Sequence, residues 1–196
     1  SRSHFVGLLA GRLPDIGTTV GAVVVAFLDL DRLKAVNDAL GHSWGDALLR
    51  SVVRRIGDRL LPGDLLGRLG GDEFAVVRCL PAGDVPDADV LALALGEELR
   101  AAVDSEDPQL PTAAHSTASV GLAVALSPDT SSDAVLHAAD QAMYAAKVAG
   151  GNRVCLAGAE APRPRAWAES RHLVVHYQPI VDLRGGGIVA VEALLR

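Results

Sequence analysis

Residues Gly21 to Asp29 read GAVVVAFLD. The run is apolar from Ala22 to Leu28 and rich in β-branched valine, which predicts a strand buried on both faces and ending in a carboxylate. DRLKAVNDAL (31–40) follows with helical spacing and stops at Gly41, a C-terminal cap. HSWGDALLRSVVRRIGDRLL (42–61) is a second amphipathic helix. In it Ser43 and Asp46 have the spacing of a capping box, and Pro62-Gly63 ends it. Leu65–Leu69 and Glu73–Arg78 read as short strands of a hairpin around Gly70-Gly71. Val85–Val103 is a third helix and His115–Ala125 a further strand. Ser131–Ala149 is a fourth helix, apolar at Val135, Ala139, Met143 and Ala146, and Asn152–Leu156 is a last strand. The order β-α-α-β-β-α-β-α-β predicts an α+β fold: a central, mostly antiparallel sheet wrapped by helices.

Residues 158–171 are rich in Ala, Pro and Arg and read as a linker. Beyond them LVVHYQPIVDL and IVAVEALL are strand-like, joined by RGGG, and too few to make a sheet domain alone. A hydrophobic content of 49% and a charged content of 21% are those of a globular protein. The net charge of -6 argues against a nucleic-acid partner. No stretch is long and apolar enough for a membrane span, and no signal peptide is evident. Cys79 and Cys155 suit no zinc spacing and point to a reducing compartment, so a cytoplasmic location is expected even if a parent protein is membrane-anchored.

Several polar residues stand where chemistry is possible, each with a plainer alternative. Asp29 and Asp31 close the buried strand and suit Mg²⁺, but Asp31 is more simply the N-cap of the next helix. Gly70-Gly71-Asp72-Glu73 would let backbone amides approach a phosphate and aim a carboxylate at Asp29, or it is an ordinary hairpin with solvated acids. Asn37 and Asp46 flank the turn between the first two helices. A carboxylate and an amide there would select guanine, whose N1 and N2 donors adenine lacks, unless Asp46 is spent on Ser43 in the capping box. Of 18 basic residues only Lys34 and Lys147 are lysines, compact counter-charges for phosphate or merely solvated surface groups. His42 at a helix start reads as structural, and Cys79 as core.

Taken together, FLDLDRLKAVNDALGHSWGDALL, RLGGDEFAVV, SVGLAVA and ADQAMYAAKVAGGNRV resemble the GGDEF family of diguanylate cyclases, in family order, across residues 1–157. The resemblance implies a fold similar to the adenylyl cyclase catalytic domain. It also implies condensation of two GTP into cyclic di-GMP across a homodimer, with release of two pyrophosphates and dependence on Mg²⁺ or Mn²⁺. By the same resemblance Asp29, the Leu30 carbonyl and Asp72 hold the metal, and Asp72 is the proton acceptor. Glu73 is the other motif acid, grouped with Asp72 as catalytic. Asn37 and Asp46 read guanine with His42 nearby, and Lys34 and Lys147 contact phosphates.

Three departures stand out. Leu61 replaces the arginine of the family's Arg-x-x-Asp product-inhibition site although Asp64 is kept, so feedback there is expected to be weak or absent. Gly151 stands where many members have arginine, which leaves open a regulatory GTP-binding module that does not turn over. The family's opening motif is missing, and SRSHF is expected to be its trimmed remainder. Finally, HYQPIVDLRGGGIVAVEALLR within residues 172–196 is similar to the start of an EAL phosphodiesterase domain, with Glu192 at that family's metal-binding glutamate. The rest of an EAL barrel is absent, so no phosphodiesterase activity is expected of this chain.

Overall fold

The computed structural model describes residues 1–158 in full and the backbone alone of 175–181 and 188–195. The chain divides into two units, Ser1–Pro162 and Arg163–Arg196. The expected linker falls almost wholly outside the described residues. In the second unit two strands, Val175–Val181 and Ile188–Leu195, pair antiparallel with Tyr177 opposite Ala193.

The first unit is built on strand β1 (Ala22–Leu30), every residue of which is buried. It is the middle of a five-stranded sheet. On one side it pairs with β3 (Glu73–Leu80), which pairs in turn with β2 (Leu65–Arg68). On the other it pairs with β4 (Ala118–Ala125), beside which lies the short β5 (Val154–Leu156). All neighbours are antiparallel except β4 and β5, so the mostly antiparallel α+β sheet is as expected.

Alternation along β1 creates two cores. Val24, Ala26, Leu28 and Leu30 face helices α2 (Leu33–Leu40), α3 (His42–Gly57) and α4 (Ala88–Asp104). Val23, Val25 and Phe27 face α1 (Arg2–Ala10) and α5 (Ser132–Val148). Burying a side chain of this size stabilises the fold by about 1.5–3 kcal/mol, and a strand that does so on both faces reads as an unbroken apolar run. The close seat of α5 depends on Gly121 in β4. A Cβ there would collide with the Ala139 carbonyl oxygen and the Met143 backbone nitrogen.

Several local expectations change. SRSHF opens a helix the sequence did not announce, α1, capped by Ser1, whose hydroxyl accepts from the His4 amide, with Phe5 and Leu9 buried in the second core. The third helix begins at Ala88, because Pro86 confines Ala82–Asp87 to a 3-10 turn. Helix α3 ends at Gly57 rather than running on to Leu61. Ser43 does not cap it: the N-cap is Gly41, φ +90°, with no side-chain hydrogen bond, so no capping box with Asp46 forms. Nor does Asp31 cap α2, whose N-cap is Arg32. No helix among the described residues is long and apolar enough to cross a membrane. Cys79 and Cys155 are free and half-buried, and burial pushes both thiols up, which suits packing rather than reactivity.

Candidate active site at the end of the central strand

Strand β1 delivers Asp29 to its C-terminal end on the α5 face, 6% exposed. The register sets Glu73 directly across from it, and the Leu30 amide donates to the Asp72 carbonyl at 3.2 Å. Asp29, Leu30, Asp72 and Glu73 therefore meet at one sheet end. Opposite them α5 presents Lys147, whose Nζ lies 2.6 Å from Asp29 Oδ1. Oδ1 is thus a buried carboxylate oxygen whose close partner among the described residues is that ammonium. Burial raises the Asp29 carboxyl above its ordinary value. Lys147 pulls it back, and the charges of Asp72 and Glu73 push it up again.

A buried carboxylate oxygen with further acids beside it fits a hard divalent cation. Two carboxylates with the Leu30 carbonyl are a sparse donor set, and among the described residues no three His, Cys, Asp or Glu side chains form a metal cluster. That sparseness suits Mg²⁺, which keeps waters and takes substrate phosphate oxygens as ligands.

The Gly70-Gly71 turn is longer than a two-residue hairpin, running from Leu69 to Asp72. Its glycines do not take positive φ. A Cβ at Gly70 would stand 2.5 Å from the Glu73 carboxylate, so a side chain there would push that carboxylate aside. The turn is held by Arg68, missed in the sequence reading, whose guanidinium donates to the carbonyls of Gly70 (3.2 Å) and Gly71 (2.7 Å). Its place three residues before Gly71 was the available signal.

Asp31 also takes a role the sequence did not suggest. Its carboxylate accepts from Thr117 Oγ1 (2.7 Å), Ser119 Oγ (2.6 Å) and the Asn152 amide (3.1 Å). It thereby clasps the end of β1 to the start of β4 and to the turn after α5. Gly151, φ +72°, packs against it.

Between α2 and α3 the Asn37 side chain lies directly over Gly45, where any Cβ would strike its amide oxygen. This places Asn37 beside Asp46, the next residue of α3. Asp46 is exposed and lines a depression of about 250 Å³ with Arg50 and Arg68. Lys34 and His42 stand exposed on the same two helices. Two open depressions meet at Lys147. One, of about 580 Å³, holds Asp29, Glu73, Asp140 and Tyr144, and the other, of about 490 Å³, holds Asp31, Arg32 and Gly150–Asn152.

With this geometry in place, the match to the family model described as diguanylate cyclase, GGDEF domain, over residues 1–153 becomes interpretable. The chain belongs to the GGDEF domain family. It is 37% identical over 183 residues to the bifunctional diguanylate cyclase/cyclic di-GMP phosphodiesterase MucR of Pseudomonas aeruginosa, covering 88% of this chain and 26% of MucR. It is 39% identical over 187 residues to the uncharacterized protein Rv1354c of Mycobacterium tuberculosis, covering 90% and 29%. The chain thus spans under a third of the length of these relatives. Among solved structures it resembles the GGDEF domain of DgcB from Caulobacter crescentus in complex with c-di-GMP. The TM-score is 0.66 at 33% identity, covering 80% of this chain and 90% of that one. The GGDEF domain of TpbB from P. aeruginosa gives 0.67 at 34%, covering 80% and 94%.

The departure at Leu61 acquires a structural partner. Leu61 is 59% exposed, and Asp64, the kept acid, is engaged by Arg78 through Nη2 at 2.6 Å and Nε at 3.0 Å. Asp64 also accepts from the Leu61 amide. In this GGDEF domain that carboxylate ties the turn after α3 to strand β3.

Proposed function

We propose that this GGDEF domain is a diguanylate cyclase that condenses two GTP into cyclic di-GMP. The observation that carries the reading is the buried Asp29 carboxylate with Leu30 tied to Asp72 and Glu73 across from it. Asp46 and Asn37 hold the guanine, Asp46 accepting from N1 and N2 while the Asn37 amide both donates and accepts. His42 flanks the base, and Lys34 and Lys147 meet the phosphates. Asp72 takes the proton of the 3′-hydroxyl as its oxygen bonds to the α-phosphorus of the other GTP and the bond to pyrophosphate breaks. Mg²⁺ or Mn²⁺ held by Asp29, the Leu30 carbonyl and Asp72 supplies charge neutralisation at the α-phosphate when bound. One domain positions one nucleotide, so turnover requires a two-fold dimer. Residues 172–196 are read as the opening of an EAL domain in a longer protein. The name of MucR, which pairs cyclase with phosphodiesterase, is in keeping with that reading.

The test is incubation of concentrated protein with GTP and Mg²⁺ while cyclic di-GMP and pyrophosphate are followed together. Specific activity should rise with protein concentration, and Asp72→Ala should remove turnover without loss of fold. GTP binding with no pyrophosphate release would replace this reading with that of a regulatory module. Separately, Asp46→Ala should lower the preference for GTP over ATP by about 10²-fold or more, as expected where a buried donor pair loses its acceptor. Unchanged selectivity would remove Asp46 from base recognition.

A further inference from the structure

We propose that Lys147 is a tethered cation occupying the divalent-metal position on Asp29, so that metal entry and release of the lysine ammonium are a single exchange. This rests on the reading that Asp29 and Asp72 hold a divalent cation. Four observations lead to it. The ammonium stands 2.6 Å from Asp29 Oδ1, an oxygen closed off from solvent. Asp72 and Glu73 both act electrostatically on that carboxylate, and Asp140 lines the same depression, so the place calls for positive charge. Two cations cannot share it, because like charges at such separations repel strongly in a partly buried site. Lastly, the Lys147 side chain is 35% exposed and lines both depressions. Rotation of its four-carbon stem carries the ammonium from the carboxylate side to the side of Arg32 and Gly150–Asn152 without moving α5.

The exchange gives Lys147 two duties in sequence. Before ligands arrive it supplies, among the described residues, the positive charge that faces the buried acid. Once displaced, it is a free ammonium beside the metal, where the phosphates that accompany the metal need a counter-charge. A point-charge ammonium suits this better than a planar guanidinium, whose fork would fix one geometry. Lys147 is thereby a positioning residue for the metal as well as a phosphate contact.

The experiment is Mn²⁺ binding to the purified chain without nucleotide, read by electron paramagnetic resonance. The site is identified by its loss in Asp29→Asn. Lys147→Met, which keeps the bulk and removes the charge, should bind Mn²⁺ about tenfold more tightly than wild type. Lys147→Arg, which keeps the charge, should stay near the wild-type value. Equal affinity in all three forms, weaker binding in Lys147→Met, or tightening in Lys147→Arg as large as in Lys147→Met would overturn the exchange and leave the metal assignment standing. No Asp29-dependent binding in any form would overturn both. A second readout uses the scarcity of lysine. Because Lys34 and Lys147 are the only lysines in the chain, ¹⁵N-lysine labelling yields two ammonium signals. One should be protected from solvent exchange and lose that protection when Mg²⁺ alone is added. Persistence of the protected signal at saturating Mg²⁺ would sink the proposal.

Discussion

Asp29→Asn is expected to lower cyclic di-GMP formation by at least ~10³-fold and, at neutral pH, to melt at a higher temperature than the wild type. The loss of activity follows from removing the charge at the head of the donor set while keeping its shape. The gain in stability follows from burial. The Asp29 carboxyl is raised first of all by desolvation, then drawn down by Lys147 and pushed up by Asp72 and Glu73, and the net direction is upward from 3.8. A raised acid favours folding below its unfolded value, and that contribution is lost as pH rises through the folded value. The wild type therefore carries a penalty at neutral pH that the amide lacks. The difference in Tm should shrink as pH falls toward the ordinary aspartate range and vanish below it. Thermal melts of both forms across that range provide the check. A lower Tm for the variant at neutral pH would mean that the contact with Lys147 outweighs the burial cost.

Gly121→Ala should be the most damaging small substitution in the sheet. The added methyl would meet backbone atoms of α5, the Ala139 carbonyl oxygen and the Met143 nitrogen, rather than the end of a movable side chain. Helix and strand would have to separate, at a cost of roughly 3 kcal/mol or more and a fall in Tm on the order of 10 °C. Gly96→Ala in α4 is the matched control. There the new methyl would meet the ends of the Val154 and Leu122 side chains, at 2.6 and 2.9 Å, which can shift. The better helix propensity of alanine returns up to about 1 kcal/mol. Urea unfolding of the two variants should separate them clearly. A Gly121→Ala protein as stable as Gly96→Ala would contradict the close seat of α5 on β4.

The fold was legible because β1 announces itself. A strand buried on both faces has no polar alternation, and GAVVVAFLD has none until Asp29. Asp29, Leu30, Asp72 and Glu73 were legible as a group only through the resemblance to the GGDEF family, because nothing local in the sequence says that the hairpin pairs with β1. Helix α1 was not. It buries only Phe5 and Leu9, one turn apart, and nine residues hold too few apolar positions for a period to emerge. Nor could local spacing reveal what Asp31 does, because its partners Thr117, Ser119 and Asn152 arrive from the far end of the chain. The capping box failed through competition: Gly41, free to take φ +90°, caps α3 two residues before Ser43 could. The pairing of Asp64 with Arg78 joins two strands' worth of chain and has no sequence signature at all.

The clasp at Asp31 closes a loop of chain. From Asp29 the backbone runs through Leu30 to Asp31, crosses by hydrogen bond to Asn152, and returns through Gly151 and Gly150 to Lys147, whose ammonium meets Asp29 again. Chemically this is a macrocycle sealed by two non-covalent links. One of its links, at Asp31, has two further anchors on β4, whereas the other is a lone ammonium on a pliable stem. A ring with one firm seam and one loose one opens always at the same place. The bite of the Asp29 end of this ring is therefore set from its opposite seam, at Asp31.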